Sequence, residues 1–235
     1  MATVVCLPTY NERENVERMA RALGEHGVRV LVIDDNSPDG TGEIADRLAA
    51  ELDYVDVLHR PRKEGLGPAY LDGFGRALAE GADLVMEMDC DFSHDPADVP
   101  RLIAAASEAD LVVGSRYVDG GSVGNWGPLR RLVSAGGSWY ARLVLGVPIR
   151  DLTAGFKCIR REVLERIELD TIAAKGYAFQ IEMTYRALRK GFHVREIPIT
   201  FVDRVEGGSK MSRGIVVEGF TRVPALRLAA LRGKF

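Results

Sequence analysis

Short apolar runs alternate with segments of helical periodicity through the first half of the chain, and this alternation restricts the fold to parallel βαβ units. Thr3 to Leu7 reads as a buried strand, after which Val16, Met19, Ala20 and Leu23 recur at the spacing of one helix face. Arg29 to Ile33 is a second strand. After the turn Asn36-Ser37-Pro38-Asp39-Gly40, Thr41 is expected to cap a helix lined by Ile44, Ala45, Leu48 and Leu52. Tyr54 to Leu58, Asp83 to Met88 and Leu111 to Val113 supply three further strands. Pro68 suits the first turn of one intervening helix, and Asp95-Pro96 opens another. From Tyr117 the pattern loosens into a glycine-rich loop that ends near Pro128, and a helix over Leu129 to Leu145 follows. Phe156 to Ile159 and Val194 to Val202 read as strands, with Pro198 favouring an edge, and Ala178 to Lys190 reads as the helix between them. A last helix, Ile215 to Leu231, carries Val216, Phe220, Val223 and Leu226 along one side. The expected class is an α/β protein with a mostly parallel central sheet flanked by helices, forming one domain over residues 1–235. Within it, 214–235 is either a membrane-interfacial helix or one packed on the core.

Three loops follow three of the early strands: Pro8-Thr9-Tyr10-Asn11-Glu12, Asp34-Asp35-Asn36-Ser37-Pro38-Asp39-Gly40 and Asp89-Cys90-Asp91-Phe92-Ser93-His94. Parallel strands bring all three to one sheet edge, where open α/β sheets hold their ligands. In the third loop two carboxylates stand one residue apart. Such hard oxygen ligands suit Mg2+ or Mn2+, which proteins usually hold with one or two carboxylates plus substrate phosphates. That points to a nucleotide-diphosphate substrate. Lys63, Gly65 and Gly67 form a compact loop after the third strand, where glycine lets backbone approach a ligand and Lys63 could meet a phosphate.

Composition narrows the function classes. A net charge of -3 with 28% charged residues gives no electrostatic reason to expect nucleic acid. The three cysteines, Cys6, Cys90 and Cys158, form no C-x-x-C pair, so neither a disulfide framework nor a thiolate metal site is expected, and a reducing cytoplasm is the simplest compartment. No run of about 18 apolar residues would span a membrane. Membrane contact is therefore expected to be peripheral. A nicotinamide-dependent oxidoreductase is disfavoured because Tyr70 stands where a dinucleotide fingerprint needs its third small residue. A serine hydrolase fails because Gly136-Gly137-Ser138-Trp139-Tyr140 lacks the last glycine of a nucleophile elbow.

With the three loops in this order, the chain resembles family 2 nucleotide-sugar glycosyltransferases of the GT-A fold. Gly114-Ser115-Arg116-Tyr117, Asp151-Leu152-Thr153-Ala154-Gly155-Phe156 and the segment from Val202 to Lys210 sharpen this into a resemblance to polyprenol-phosphate mannose synthases over essentially the whole chain. The resemblance implies inverting transfer of mannose from GDP-mannose to a polyprenyl or dolichyl phosphate on the cytoplasmic face of a membrane. It places Pro8, Tyr10, Glu12, Ile33 and Asp35 against the nucleotide, with Glu12 or Asp35 accepting from guanine N–H groups. Asp91 is then the direct metal ligand, with Asp89 bridging ribose and metal shell, Ser93 a third oxygen and Cys90 contributing backbone. Arg116, Arg130, Arg204 and Lys210 match the family's cationic positions, with Ser134 a hydroxyl partner for the acceptor phosphate.

A polyprenyl phosphate is already an anionic nucleophile, so the transfer calls for cations rather than a general base, and arginine forks meet phosphate oxygens bidentately. From Arg204 to Phe235 seven basic residues stand against two acidic ones, which suits an anionic membrane surface. A separate membrane-anchoring protein is a plausible partner. Two other readings stay open at this level: the same chemistry with UDP-glucose as donor, and a non-catalytic nucleotide-sugar binding module. A processive polysaccharide synthase is disfavoured, because neither Trp126 nor Trp139 completes a Gln-x-x-Arg-Trp motif.

Overall fold

In the computed structural model, residues 1–124, 127–172, 174, 176–202 and 213–233 are described. The first half is a run of βα units: β1 (Thr3–Thr9), α1 (Val16–Gly24), β2 (Arg29–Asp34), α2 (Thr41–Glu51), β3 (Val55–His59), α3 (Leu66–Ala79) and β4 (Leu84–Glu87). There follow α4 (Val99–Ala105), β5 (Leu111–Ser115), β6 (Ser122–Gly124), α5 (Pro128–Leu145), β7 (Lys157–Arg160) and α6 (Arg161–Arg166). The chain closes with α7 (Tyr177–Arg189), β8 (Val194–Pro198), β9 (Thr200–Val202) and α8 (Arg213–Leu231).

Seven strands form one sheet in the order β3-β2-β1-β4-β7-β5-β8, parallel except for β7, which runs antiparallel to both β4 and β5. The order reverses direction between β1 and β4. A reversal of this kind opens a crevice at the carboxyl ends of the strands.

Side chains alternate across the strands and split the core into two layers. Val5, Leu7, Val30 and Val32 face α1, α2 and α4 through Met19, Leu48 and Leu102. Val4, Cys6, Leu31 and Ile33 face α3 and α7, where Tyr70, Phe74 and Phe179 stack at centroid separations of 5.7, 6.0 and 6.5 Å. Burying both faces explains the near-continuous apolar runs of the strands. A third cluster joins Ala141 and Leu145 of α5, Tyr185 of α7 and Val223, Leu226 and Ala230 of α8.

Three local expectations change. Thr41 does not cap α2: its hydroxyl donates to Asp39 Oδ1 at 2.6 Å and accepts from the Glu12 N–H at 3.0 Å, while Gly40 turns the chain at φ 90°. Thr41 therefore ties two cleft loops together. The strand expected over Val194 to Val202 is two strands: β8 ends at Pro198 on the sheet edge, and β9 leaves to pair with β6 inside the loop expected after Tyr117. Gly67 lies inside α3 rather than in a ligand loop. A Cβ there would come within 2.4 Å of the Ala174 carbonyl oxygen, so its smallness serves helix packing.

Candidate active site

The crevice between β1 and β4 gathers the three expected loops. Each turns on a non-glycine residue in the left-handed region: Asn11 at φ 58°, Asn36 at φ 56° and Phe92 at φ 57°. Asparagine tolerates that conformation because its short amide bonds locally. Phenylalanine does not, so Phe92 marks a loop whose shape is imposed by its surroundings. Asp34 fixes the second loop, accepting from the Ser37 N–H at 3.1 Å and its hydroxyl at 2.6 Å.

On one side of the crevice lie Pro8, Tyr10, Glu12 and Asp35. Lys63 stands 3.9 Å over the Tyr10 ring, which brings the first and third βα loops together. The Asp35 carboxylate is paired with Arg60, a buried guanidinium that also donates to Asp72 at 2.7 Å and Glu64 at 3.3 Å. Burial pushes the Asp35 carboxyl above its ordinary range, with Arg60 pulling the other way. Glu12 accepts from Asn15 Nδ2 at 2.9 Å at the entry to α1, so one of its oxygens serves the helix start. The Ile33 side chain is fully buried against α3, where a Cβ on Gly73 would lie 2.3 Å from its Cδ1, which leaves its backbone for the expected nucleotide contact.

On the other side is the acidic loop. Asp91 is buried and its Oδ1 accepts from the Ser93 N–H at 3.1 Å. Ser93 Oγ is buried and makes no hydrogen bond. Cys90 points into the core. His94 closes the loop, its Nδ1 accepting from the Asp89 N–H at 3.3 Å while its ring stacks 5.0 Å from Phe156 and meets Phe201 edge-on at 5.3 Å. Burial draws its pKa down to about 4, so the ring is neutral and keeps Nδ1 as an acceptor. Among the described residues no group of three or more His, Cys, Asp or Glu side chains is gathered as a metal cage.

Arg116 meets Asp151 as a fork, Nε to Oδ2 at 2.8 Å and Nη2 to Oδ1 at 2.7 Å, and also donates to Thr153 Oγ1 at 2.8 Å. Its guanidinium lies 5.4 Å from the Phe201 ring. Ser134 accepts from the Tyr117 hydroxyl at 2.8 Å, placing it beside the Arg116 loop. Arg130 is on α5, with its side chain outside the described residues, and Arg204 and Lys210 also lie outside them. The chain enters that last segment next to the acidic loop, because the Val202 N–H donates to the Ser93 carbonyl at 3.1 Å.

Sequence reasoning passed over Arg60 and the buried pair behind the acidic loop. Lys157 Nζ lies 3.6 Å from Glu87 Oε2, and burial drives Glu87 up and Lys157 down, each held back by the other. A lysine and a glutamate inside strand-like apolar runs were the available signal.

Comparison with known proteins agrees with this geometry. Residues 4–168 match the model of glycosyl transferase family 2. The chain is 48% identical over 234 residues to an undecaprenyl-phosphate mannosyltransferase of Micrococcus luteus, covering 98% of this chain and 96% of that one. It is 51% identical over 228 residues to a polyprenol monophosphomannose synthase of Mycolicibacterium smegmatis, covering 94% and 85%. Among solved structures, it is similar to a mannosyltransferase of Pyrobaculum calidifontis in complex with GDP-Man and Mn2+, with TM-score 0.56 and 15% identity over 99% of this chain and 74% of that one. Similarity to TarS of S. aureus in complex with UDP-GlcNAc reaches TM-score 0.65 at 16% identity, covering 96% and 66%. A crevice at the strand-order reversal with an acid pair on its rim, carried on a sequence matched along most of its length, makes this chain a member of glycosyl transferase family 2.

Proposed function

We propose that the protein transfers mannose from GDP-mannose to a polyprenyl phosphate, with inversion at the anomeric carbon. The observation that carries this reading is the match at about half identity, over nearly the full length, to two enzymes named for that product. The crevice supports it, since one side offers an aromatic ring and carboxylates suited to a base and ribose, and the other offers acids suited to a cation-bound diphosphate.

Asp91, Asp89 and Ser93 would hold a divalent cation, Mg2+ or Mn2+, and its chemistry there is neutralisation of the charge on the diphosphate leaving group. The fit rests on the donor set: two carboxylates at one loop, and a buried serine oxygen without a hydrogen bond. The remaining ligands would be oxygens of the substrate, the usual arrangement for such ions.

In the proposed reaction a phosphate oxygen of the acceptor attacks the anomeric carbon. The bond from that carbon to the diphosphate oxygen breaks, and GDP departs with the electron pair. Arg116, Arg130, Arg204 and Lys210, with Ser134, orient the acceptor phosphate. Asp151 fixes the Arg116 fork before substrate arrives, which lowers the cost of organising it. Asp35 and Glu12 read the guanine, with Arg60 holding Asp35 in place.

Membrane contact is assigned to the helix pair α5 and α8. Apart from Met1, every large apolar side chain exposed among the described residues lies there: Val133, Trp139 and Leu143 on α5, Leu228 and Leu231 on α8. An exposed tryptophan among aliphatic residues and arginines suits a lipid headgroup boundary. Among the described residues no helix is long and apolar enough to cross a membrane.

The test is a cell-free assay with radiolabelled GDP-mannose, divalent cation and a polyprenyl phosphate, followed by extraction of lipid-linked mannose. Asp91→Ala should abolish transfer while leaving the circular dichroism spectrum unchanged. Full activity in that variant, or label transferred only from UDP-glucose, overturns the reading.

A further inference from the structure

Glu196 stands on the edge strand β8, where an acidic side chain ordinarily faces water and discourages pairing with another chain. Here it turns back onto the molecule. Its Oε2 accepts from the Arg150 backbone N–H at 2.7 Å, and its Oε1 accepts from the Asp151 backbone N–H at 2.9 Å. One half-buried carboxylate thus clamps two consecutive peptide groups of the loop between α5 and β7, with a charge-assisted bond to each.

That loop carries the counter-ion of Arg116. Asp151 is fully buried, and its Oδ2 accepts from the Arg116 backbone N–H at 3.0 Å as well as from Nε, while Oδ1 accepts from Nη2. Arg116 follows β5 directly, and Glu196 is in register with Val113 of the same strand. The guanidinium and the carboxylate that aims it are therefore both referred to one pair of neighbouring strands, β5 and β8. On either side of the clamped peptides, Ile149 and Leu152 are buried in the cluster shared with α5 and α8. These apolar anchors seat the loop on the core, and the two bonds to Glu196 set the backbone between them. The Arg150 side chain points outward to an exposed pair with Asp119 at 3.1 Å, an interaction of small weight.

We propose that Glu196 is a positioning residue for transfer: it fixes the backbone of Arg150 and Asp151, and through Asp151 it holds the Arg116 guanidinium in the orientation that receives the acceptor phosphate. What Arg116 receives rests on the function proposed above. The hold on its guanidinium does not.

The test compares the full-length wild type with Glu196→Gln, Glu196→Ala and Arg150→Ala. Glutamine keeps one acceptor oxygen but turns an NH2 group onto the second N–H, and alanine removes both acceptors. Circular dichroism and thermal melting check that the variants fold, and the isosteric glutamine variant decides if the alanine variant does not. With GDP-mannose and farnesyl phosphate, both Glu196 variants should lose about tenfold in kcat/KM for the acceptor, with affinity for GDP and Mn2+ within about twofold of wild type. Arg150→Ala should match wild type in both measurements. In an Arg116→Lys background, Glu196→Gln should cost less than about twofold further, because the fork it aims is gone. A loss that adds in full there marks a role in the loop alone and overturns the proposal. The Arg116 Nε–H resonance, assigned through Arg116→Lys, reads the hold without substrate: it should exchange slowly with water in wild type and rapidly in the Glu196 variants. An unchanged resonance, or an unchanged acceptor kcat/KM in an active enzyme, overturns the positioning role. A wild type that transfers no mannose overturns the function proposed above, and the resonance then decides by itself whether Glu196 holds Arg116.

Discussion

Phe92 and His94 show how single side chains hold the acidic loop in shape. A phenylalanine at φ 57° costs conformational energy of order 1–3 kcal/mol, and that cost is sustained because its neighbours fix the loop from both sides. Behind it, the neutral His94 ring accepts from the Asp89 N–H and packs between Phe156 and Phe201. Because burial lowers its pKa from 6.5 to about 4, the unfolded chain binds the proton more tightly than the folded one between those values. The associated stability is therefore fully present above about pH 6.5 and is lost as pH falls towards 4, to the extent of about 3 kcal/mol. Urea denaturation in chelator at pH 7 and pH 4.5 should show this drop in wild type and a shallower one in His94→Gln. Parallel profiles in the two proteins would remove His94 as the source. Arg116 belongs to the same scale: the family resemblance proposes it as a phosphate-binding cation, while its fork on Asp151 could not be anticipated from residues 35 positions apart.

At the scale of elements, α5 and α8 differ from the rest of the molecule. Val223 and Leu226, expected along one side of the last helix, are buried with Leu145 and Tyr185, so that side of α8 packs on the core. The opposite side still exposes Leu228 and Leu231, at 54% and 69%, while Trp139 and Leu143 of α5 are each 65% exposed. One helix can thus pack on the core and present a second apolar strip outward. Replacing Trp139 and Leu143 with serine should leave thermal stability unchanged, since both side chains already face solvent. Partitioning onto anionic lipid vesicles should fall by about tenfold for each apolar group lost. A sedimentation assay giving wild-type vesicle binding for the double variant would exclude this face. Splitting the expected strand over Val194 to Val202 is an effect of the same scale. Pro198 closes the ladder at the sheet edge, and residues 200–202 find β6 instead, a partner 78 positions earlier that local pattern cannot reveal.

For the whole molecule, the proposed function, with the acid pair on one rim and the groups proposed for the nucleotide on the other, predicts that cation and nucleotide bind interdependently. Mn2+ or GDP alone should raise the melting temperature slightly. Together at about 100 times their dissociation constants they contribute about 2.7 kcal/mol, a shift of roughly 5–10 °C for a chain of this size. Calorimetry showing additive small shifts would contradict the coupling.

The alternation of buried runs and amphipathic helices was enough to predict the parallel half of the sheet and the shared edge of its three loops. Burial periodicity is local, and parallel connection leaves little choice of edge. The acid-pair loop and the family resemblance were legible for the same reason, since each rests on short contiguous motifs. Placement of β7 between β4 and β5, the union of Arg60 with Asp35 and of Arg116 with Asp151, and the pairing of Lys157 with Glu87 were decided only by tertiary structure. Each joins residues far apart in sequence, and their pairing follows from which elements pack together rather than from any pattern within them.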